Sequence, residues 1–149
     1  MTYSEALAGR VSLPHQAYHV TICTHHRQPF FYDWRSGRLV VQELKYMQQQ
    51  MHVQSLAWVL MPDHLHWLMQ LDETTFLTRA LHTFKGRSAK AVNQFLGRKG
   101  SLWQRGFHDH AIRGDEDLRQ TARYIVANPL RAQLVKHVAD YPLWDAIWL

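Results

Sequence analysis

The stretch Met61-Pro62-Asp63-His64-Leu65-His66-Trp67-Leu68-Met69 decides how the chain folds. Its density of apolar and β-favouring residues, over a length too short and too poorly capped for a helix, predicts a strand. Side chains alternate along a strand, so His64 and His66 project from one face of a sheet while Leu65 and Trp67 enter the other. Two imidazoles on one face can hold a metal ion, provided a third ligand arrives from elsewhere in the chain. A half-exposed strand whose histidines ligate nothing explains this pair equally well, so the rest of the chain has to decide.

Immediately upstream, Ser55 to Met61 forms a second strand, joined through the tight Pro62-Asp63 connection either as a hairpin or as one longer bulged strand. Before it, Leu39, Val40, Leu44, Met47 and Met51 keep helical spacing, which predicts a helix from Leu39 to His52. A first strand runs from Tyr18 to His25, with Val20, Ile22 and Thr24 on one face and His19, Thr21 and Cys23 on the other. His25 and His26 fall at its end as loop residues, and Pro14 argues against a helix through Met1 to His15.

Downstream, Leu77, Ala80, Leu81, Phe84, Ala91, Val92 and Phe95 predict a helix over Thr75 to Leu96, in which Gly86 marks a bend or a close approach of backbone to an outside group. Leu102 to Ile112 reads as another strand, ending in a second alternating pair, His108-Asp109-His110, of which His110 is a candidate neighbour of the site. Asp115-Glu116-Asp117 opens a helix whose buried stripe is Leu118, Ala122, Ile125 and Val126, with Tyr124 beside it and Thr121 and Asn128 one turn away. After Asn128-Pro129 a short helical piece continues through Leu130, Leu134 and Val135, and the aromatic segments at Tyr141 to Trp144 and Ile147 to Leu149 pack back on the body. The sum is an α+β, ferredoxin-like βαββαβ fold: an antiparallel sheet with helices on one face and an appended C-terminal helix carrying the tyrosine. One domain accounts for residues 1–149, with a core over about 13–135 and a tail at 136–149.

A chain of 149 residues with 46% hydrophobic and 12% aromatic residues can bury a full core. No apolar run reaches the length of a membrane span and no signal-peptide pattern is present, which predicts a soluble, cytoplasmic protein with no membrane partner. A single cysteine, Cys23, excludes an internal disulfide and any thiolate-rich zinc site. The net charge of +5 and pI near 9.6 point to a polyanionic partner, and the charge is concentrated. Between Glu73 and Asp109 no acidic residue occurs, while Arg79, Lys85, Arg87, Lys90, Arg98, Lys99 and Arg105 do. Such a block beside a candidate metal site favours phosphate contact.

Paired histidines on a central strand, a tyrosine on a neighbouring helix and a basic surface suggest phosphoryl transfer on a nucleic acid. His64-Leu65-His66, followed by Ala122-Arg123-Tyr124-Ile125-Val126-Ala127-Asn128-Pro129-Leu130-Arg131-Ala132, resembles the single-tyrosine HUH transposases, and within them the REP-associated tyrosine transposases, relatives of the IS200/IS605 group. Leu13-Pro14-His15-Gln16-Ala17-Tyr18-His19-Val20-Thr21 and Leu102-Trp103-Gln104-Arg105-Gly106-Phe107-His108-Asp109-His110 are similar to the same subgroup. The resemblance implies that Tyr124 is the nucleophile and that His64, His66 and Asn128 bind Mg²⁺ or Mn²⁺. It implies a single-stranded DNA substrate bearing short palindromic, REP-like hairpins, cut and rejoined through a 5′-phosphotyrosine by a monomer or homodimer. The seven basic residues named above and Arg131 would hold the backbone, and Trp103 is a candidate stacking platform. Two other readings stay open on the residues alone: a metal-dependent hydrolase using water, and a domesticated hairpin-binding protein without catalysis.

Overall fold

The computed structural model describes residues 16–148. The expected irregular segment Met1 to His15, the Leu13-Pro14-His15 part of the opening motif and the terminal Leu149 lie outside the described residues. Five strands, β1 (Ala17–Cys23), β2 (Val53–Met61), β3 (His64–Leu71), β4 (His108–Ile112) and β5 (Trp144–Ala146), form one sheet in the order β4-β1-β3-β2-β5. Every pairing is antiparallel. Helices α1 (Trp34–Gln50), α2 (Leu77–Leu96), α3 (Asp115–Val126) and the short α4 (Asn128–Arg131) complete the mixed α+β fold.

Alternation along β3 divides the interior into two cores. Leu65, Trp67, Met69 and Leu71 join Val40, Leu44 and Met47 of α1 and Leu81 and Phe84 of α2, with the Trp67 and Phe84 ring centroids 5.0 Å apart. Leu68 faces the other way, into a smaller core with Val59, Met61, Ala122, Ile125 and Val126. Thus α1 and α2 cover one face while α3, followed by the short α4, lies on the other, where His64 and His66 stand. Each fully buried Leu, Phe or Met side chain contributes roughly 1.5–3 kcal/mol.

Strand β1 keeps its predicted faces, for Val20, Ile22 and Thr24 are buried and His19, Thr21 and Cys23 are half-buried. The hairpin alternative holds over the bulged single strand, since Met61 pairs directly with His64 across Pro62-Asp63. Helix α1 begins five residues earlier than its apolar spacing indicates. Asp33 caps it by accepting from Arg35 N at 3.0 Å, and Ser36 Oγ donates to Phe30 O, so the first turn is built from polar contacts that hydrophobic period does not register. In α2 the expected bend at Gly86 is not formed, for the helix runs through it unbroken, and nothing lies within 4 Å of where a Cβ would be, so the position is open to an outside group. Gly97, at φ 64°, ends α2 in the left-handed conformation that suits glycine.

The fourth strand is shorter than the expected Leu102 to Ile112. Only His108–Ile112 pairs regularly, Trp103 meets Thr24 in an isolated bridge, and Gly106 turns the chain at φ 87°. After α3 the helical piece stops at Arg131, because Gln133 adopts φ 61°. Pro129 is buried there, whereas Leu130 and Leu134 are exposed, so the expected apolar continuation is not formed. The tail packs back through Leu143, and β5 extends the sheet beside β2, but Ile147 and Trp148 stay exposed rather than packing on the body as expected. Among the described residues no helix is long and apolar enough to cross a membrane.

Candidate nucleic-acid cleavage site

Register brings the site together. On β1, Thr21 pairs with His66 and Cys23 with His64, so the outward residues of β1 and β3 share the face that α3 crosses. The rings of His64 and His66 lie 4.9 Å apart at an interplanar angle of 85°. His66 Nδ1 lies 3.0 Å from His19 Nε2 and 3.2 Å from Thr21 Oγ1, which leaves its Nε2 without either of those contacts. His64 Nδ1 lies 2.8 Å from Asp63 Oδ1; since a carboxylate only accepts, Nδ1 is the donor and Nε2 is turned away from this contact. The second Asp63 oxygen accepts from Arg27 Nε at 3.0 Å. Burial raises the Asp63 pKa, but the hydrogen bonds from His64 and Arg27 outweigh it and hold the carboxyl below its usual range.

Burial, reinforced by His64, His19 and nearby arginines, pushes His66 down to about 3. His19 is lowered to about 4 by burial and by His110. Both rings are therefore neutral at physiological pH and retain lone pairs.

Tyr124 approaches from α3. Its ring centroid lies 6.3 Å from that of His66 and 6.4 Å from that of His19, and the residue is 53% exposed. It is not locked in packing, so a substrate can reach its hydroxyl. Arg131 Nη2 donates to Tyr124 O at 2.6 Å and its guanidinium carbon sits 3.9 Å from the ring centroid. Ala127 keeps helical angles, φ −81° and ψ −2°, between α3 and α4, and Pro129 falls in the first turn of α4, where its missing N–H breaks no helical bond. The path from Tyr124 to the half-buried Asn128 thus stays close to helical. Beside the tyrosine, His19, His110, Thr121 and Tyr124 line a cleft of about 550 Å³. Among the described residues no three His, Cys, Asp or Glu side chains gather to hold a metal; a site here would need Asn128, an amide donor outside that class.

Trp103 serves the fold instead of a base, and three of the expected cations, Lys85, Arg87 and Arg98, are engaged within the protein. Trp103 is 5% exposed, donates from Nε1 to Ser88 Oγ and packs against Phe31, so its faces are closed to a base. Lys85 Nζ donates to the carbonyls of Gln104 and Gly106 at 2.7 and 2.8 Å, fixing the irregular loop, and burial lowers its pKa. Arg87 pairs with Glu43 and lies over Tyr46, and Arg98 is tied to Asn93 and the Ser101 carbonyl. Arg79, Lys90, Lys99, Arg105 and Arg131 are exposed. Four residues of the site escaped sequence reading: His19, Thr21, Asp63 and Arg27. The alternation of β1 placed His19 and Thr21 on one face, but nothing in the sequence set the register that lays them against His66.

The sheet presents paired imidazoles under an exposed helical tyrosine, and residues 12–128 match the profile of the family described as IS200-like transposases, to which this chain belongs. Within that family it is 35% identical over 88 residues to the REP-associated tyrosine transposase of Escherichia coli K12. That alignment covers 58% of this chain and spans only half the length of the relative. Among solved structures, a REP-associated tyrosine transposase bound to a REP hairpin superposes with a TM-score of 0.74 at 24% identity, over 91% of this chain and 79% of that one. A Deinococcus radiodurans chain matches with a TM-score of 0.57 at 21% identity, over 78% of this chain and 93% of that one. These two superpositions establish the shared fold.

Proposed function

We propose that the protein nicks and rejoins single-stranded DNA at short palindromic hairpins through a 5′-phosphotyrosine. The observation that carries this reading is the half-exposed Tyr124 ring 6.3 Å from His66, on the sheet face shared with His64. The hairpin bound by the structural relative supports the choice of substrate. The phenol oxygen of Tyr124 attacks phosphorus, the bond to the 3′ oxygen breaks, and the proton lost by the phenol is balanced by the one the 3′ oxygen takes up. Because the new phosphodiester keeps the energy of the old one, a 3′ hydroxyl can reverse the step without a nucleotide cofactor.

His64, His66 and Asn128 would hold a divalent ion. The donor set fits: both Nδ1 atoms are engaged, the buried His66 ring is neutral at physiological pH, and the Asn128 amide oxygen carries no proton to release. A bound Mg²⁺ or Mn²⁺ would polarise the scissile phosphate and offset charge in the transition state. Arg131, stacked on the tyrosine, limits the sweep of the ring.

Labelled hairpin DNA incubated with the protein and Mn²⁺ tests this. A denaturation-resistant adduct is expected with the native chain and not with Tyr124→Phe. Cleavage that survives the substitution would identify a water nucleophile, and binding without cutting would leave a hairpin-binding protein.

A further inference from the structure

Away from the site, where the first turn of α1 meets the last turn of α2, large rings stand open. Tyr32 is 79%, Trp34 51% and Phe95 48% exposed. Neither core takes them, although burying aromatic area is their usual contribution to a fold. Guanidiniums interleave with them: Arg38 lies 5.1 Å from the Trp34 centroid and Arg35 5.9 Å from that of Phe95. The local carboxylate, Asp33, is tied to Arg35 at 2.9 Å.

Open ring faces beside fixed cations match a polyanion with exposed π surfaces. A duplex offers phosphates but hides its base faces, and an apolar protein anchor would gain nothing from the arginines. Unpaired nucleic acid answers both features. The strip also adjoins the site: Phe31 N, in the turn holding Tyr32, donates to Pro62 O at 3.0 Å, and the next residue, Asp63, orients His64.

We infer that this strip carries the unpaired DNA strand flanking the hairpin, with bases stacking on Tyr32 and Trp34 and phosphates meeting Arg35 and Arg38. Where that strand comes from rests on the nicking reading above; affinity for unpaired DNA is the strip's own property.

Binding of a short oligothymidine, followed by anisotropy and tryptophan quenching, tests it against a blunt duplex. Tyr32→Ala/Trp34→Ala should weaken oligothymidine binding about tenfold or more, while Tyr32→Phe/Trp34→Phe, which keeps the rings, restores it. Arg35→Gln/Arg38→Gln should flatten the salt dependence. Duplex affinity should stay unchanged. Oligothymidine binding that survives the alanine changes, falls equally with duplex binding, is not restored by phenylalanine, or is missing from the native chain would overturn the inference. Failure of the native chain to form an adduct would instead remove the nicking role, leaving the oligothymidine result to stand by itself.

Discussion

His64 works only if its ring is turned, and the turning is done by a neighbour in the chain. Asp63 accepts from Nδ1 on one oxygen and from Arg27 on the other, while Arg27 holds a left-handed backbone at φ 54°. Non-glycine residues rarely adopt that region, and here it places the guanidinium beside Asp63. Removing the carboxylate frees the imidazole to rotate and to change tautomer. Asp63→Ala is therefore expected to raise the Mn²⁺ concentration needed for half-maximal adduct formation by about 10–100-fold, with little loss of thermal stability. An unaltered metal requirement in that titration would show that the contact does not orient the ring. The histidine pair and Tyr124 were legible as residues because alternation and helical spacing assign faces. Trp103 and Lys85 were not: an aromatic and a cation look alike in sequence whether they meet DNA or a buried serine and two loop carbonyls.

At the level of elements, α2 was found almost residue for residue because its apolar stripe repeats, while β4 was overextended because alternation does not reveal that Gly106 bends the chain. Gly86 sits exposed within α2 with open space where a side chain would go. Gly86→Ala should gain about 0.5–1 kcal/mol by restricting the unfolded chain and suiting the helix, seen as a rise of roughly 2–4 °C in melting temperature per kcal/mol. If the glycine serves close approach of a DNA backbone, the same variant melts higher yet binds hairpin DNA less tightly. Equal binding at higher stability removes that role.

For the molecule as a whole, the sheet separates two cores, and the tail ties across its edge. Tyr141 packs against both cores and donates its hydroxyl to Leu60 O at 2.5 Å. Burial pushes its pKa up to about 12. With the folded value above the unfolded one, near 10, its contribution is complete below about pH 10 and is lost as pH rises through 12. Denaturant titrations of the native chain and Tyr141→Phe should differ by about 1 kcal/mol at neutral pH and converge above pH 10; a constant difference across that range would contradict the assignment.

Periodicity and turn residues in the sequence by themselves determined the order of the regular elements from β1 to α3 and the faces of β1 and β3, and placed Tyr124 on a helix and His64 and His66 on one strand face, since these follow from neighbours a few positions apart. Only the tertiary structure decided that α3 lies across the histidine face, that β1 sets His19 and Thr21 against His66, and which cations stay free. Those outcomes depend on strand register and on partners distant in the chain, and no local pattern encodes which remote group a side chain will meet.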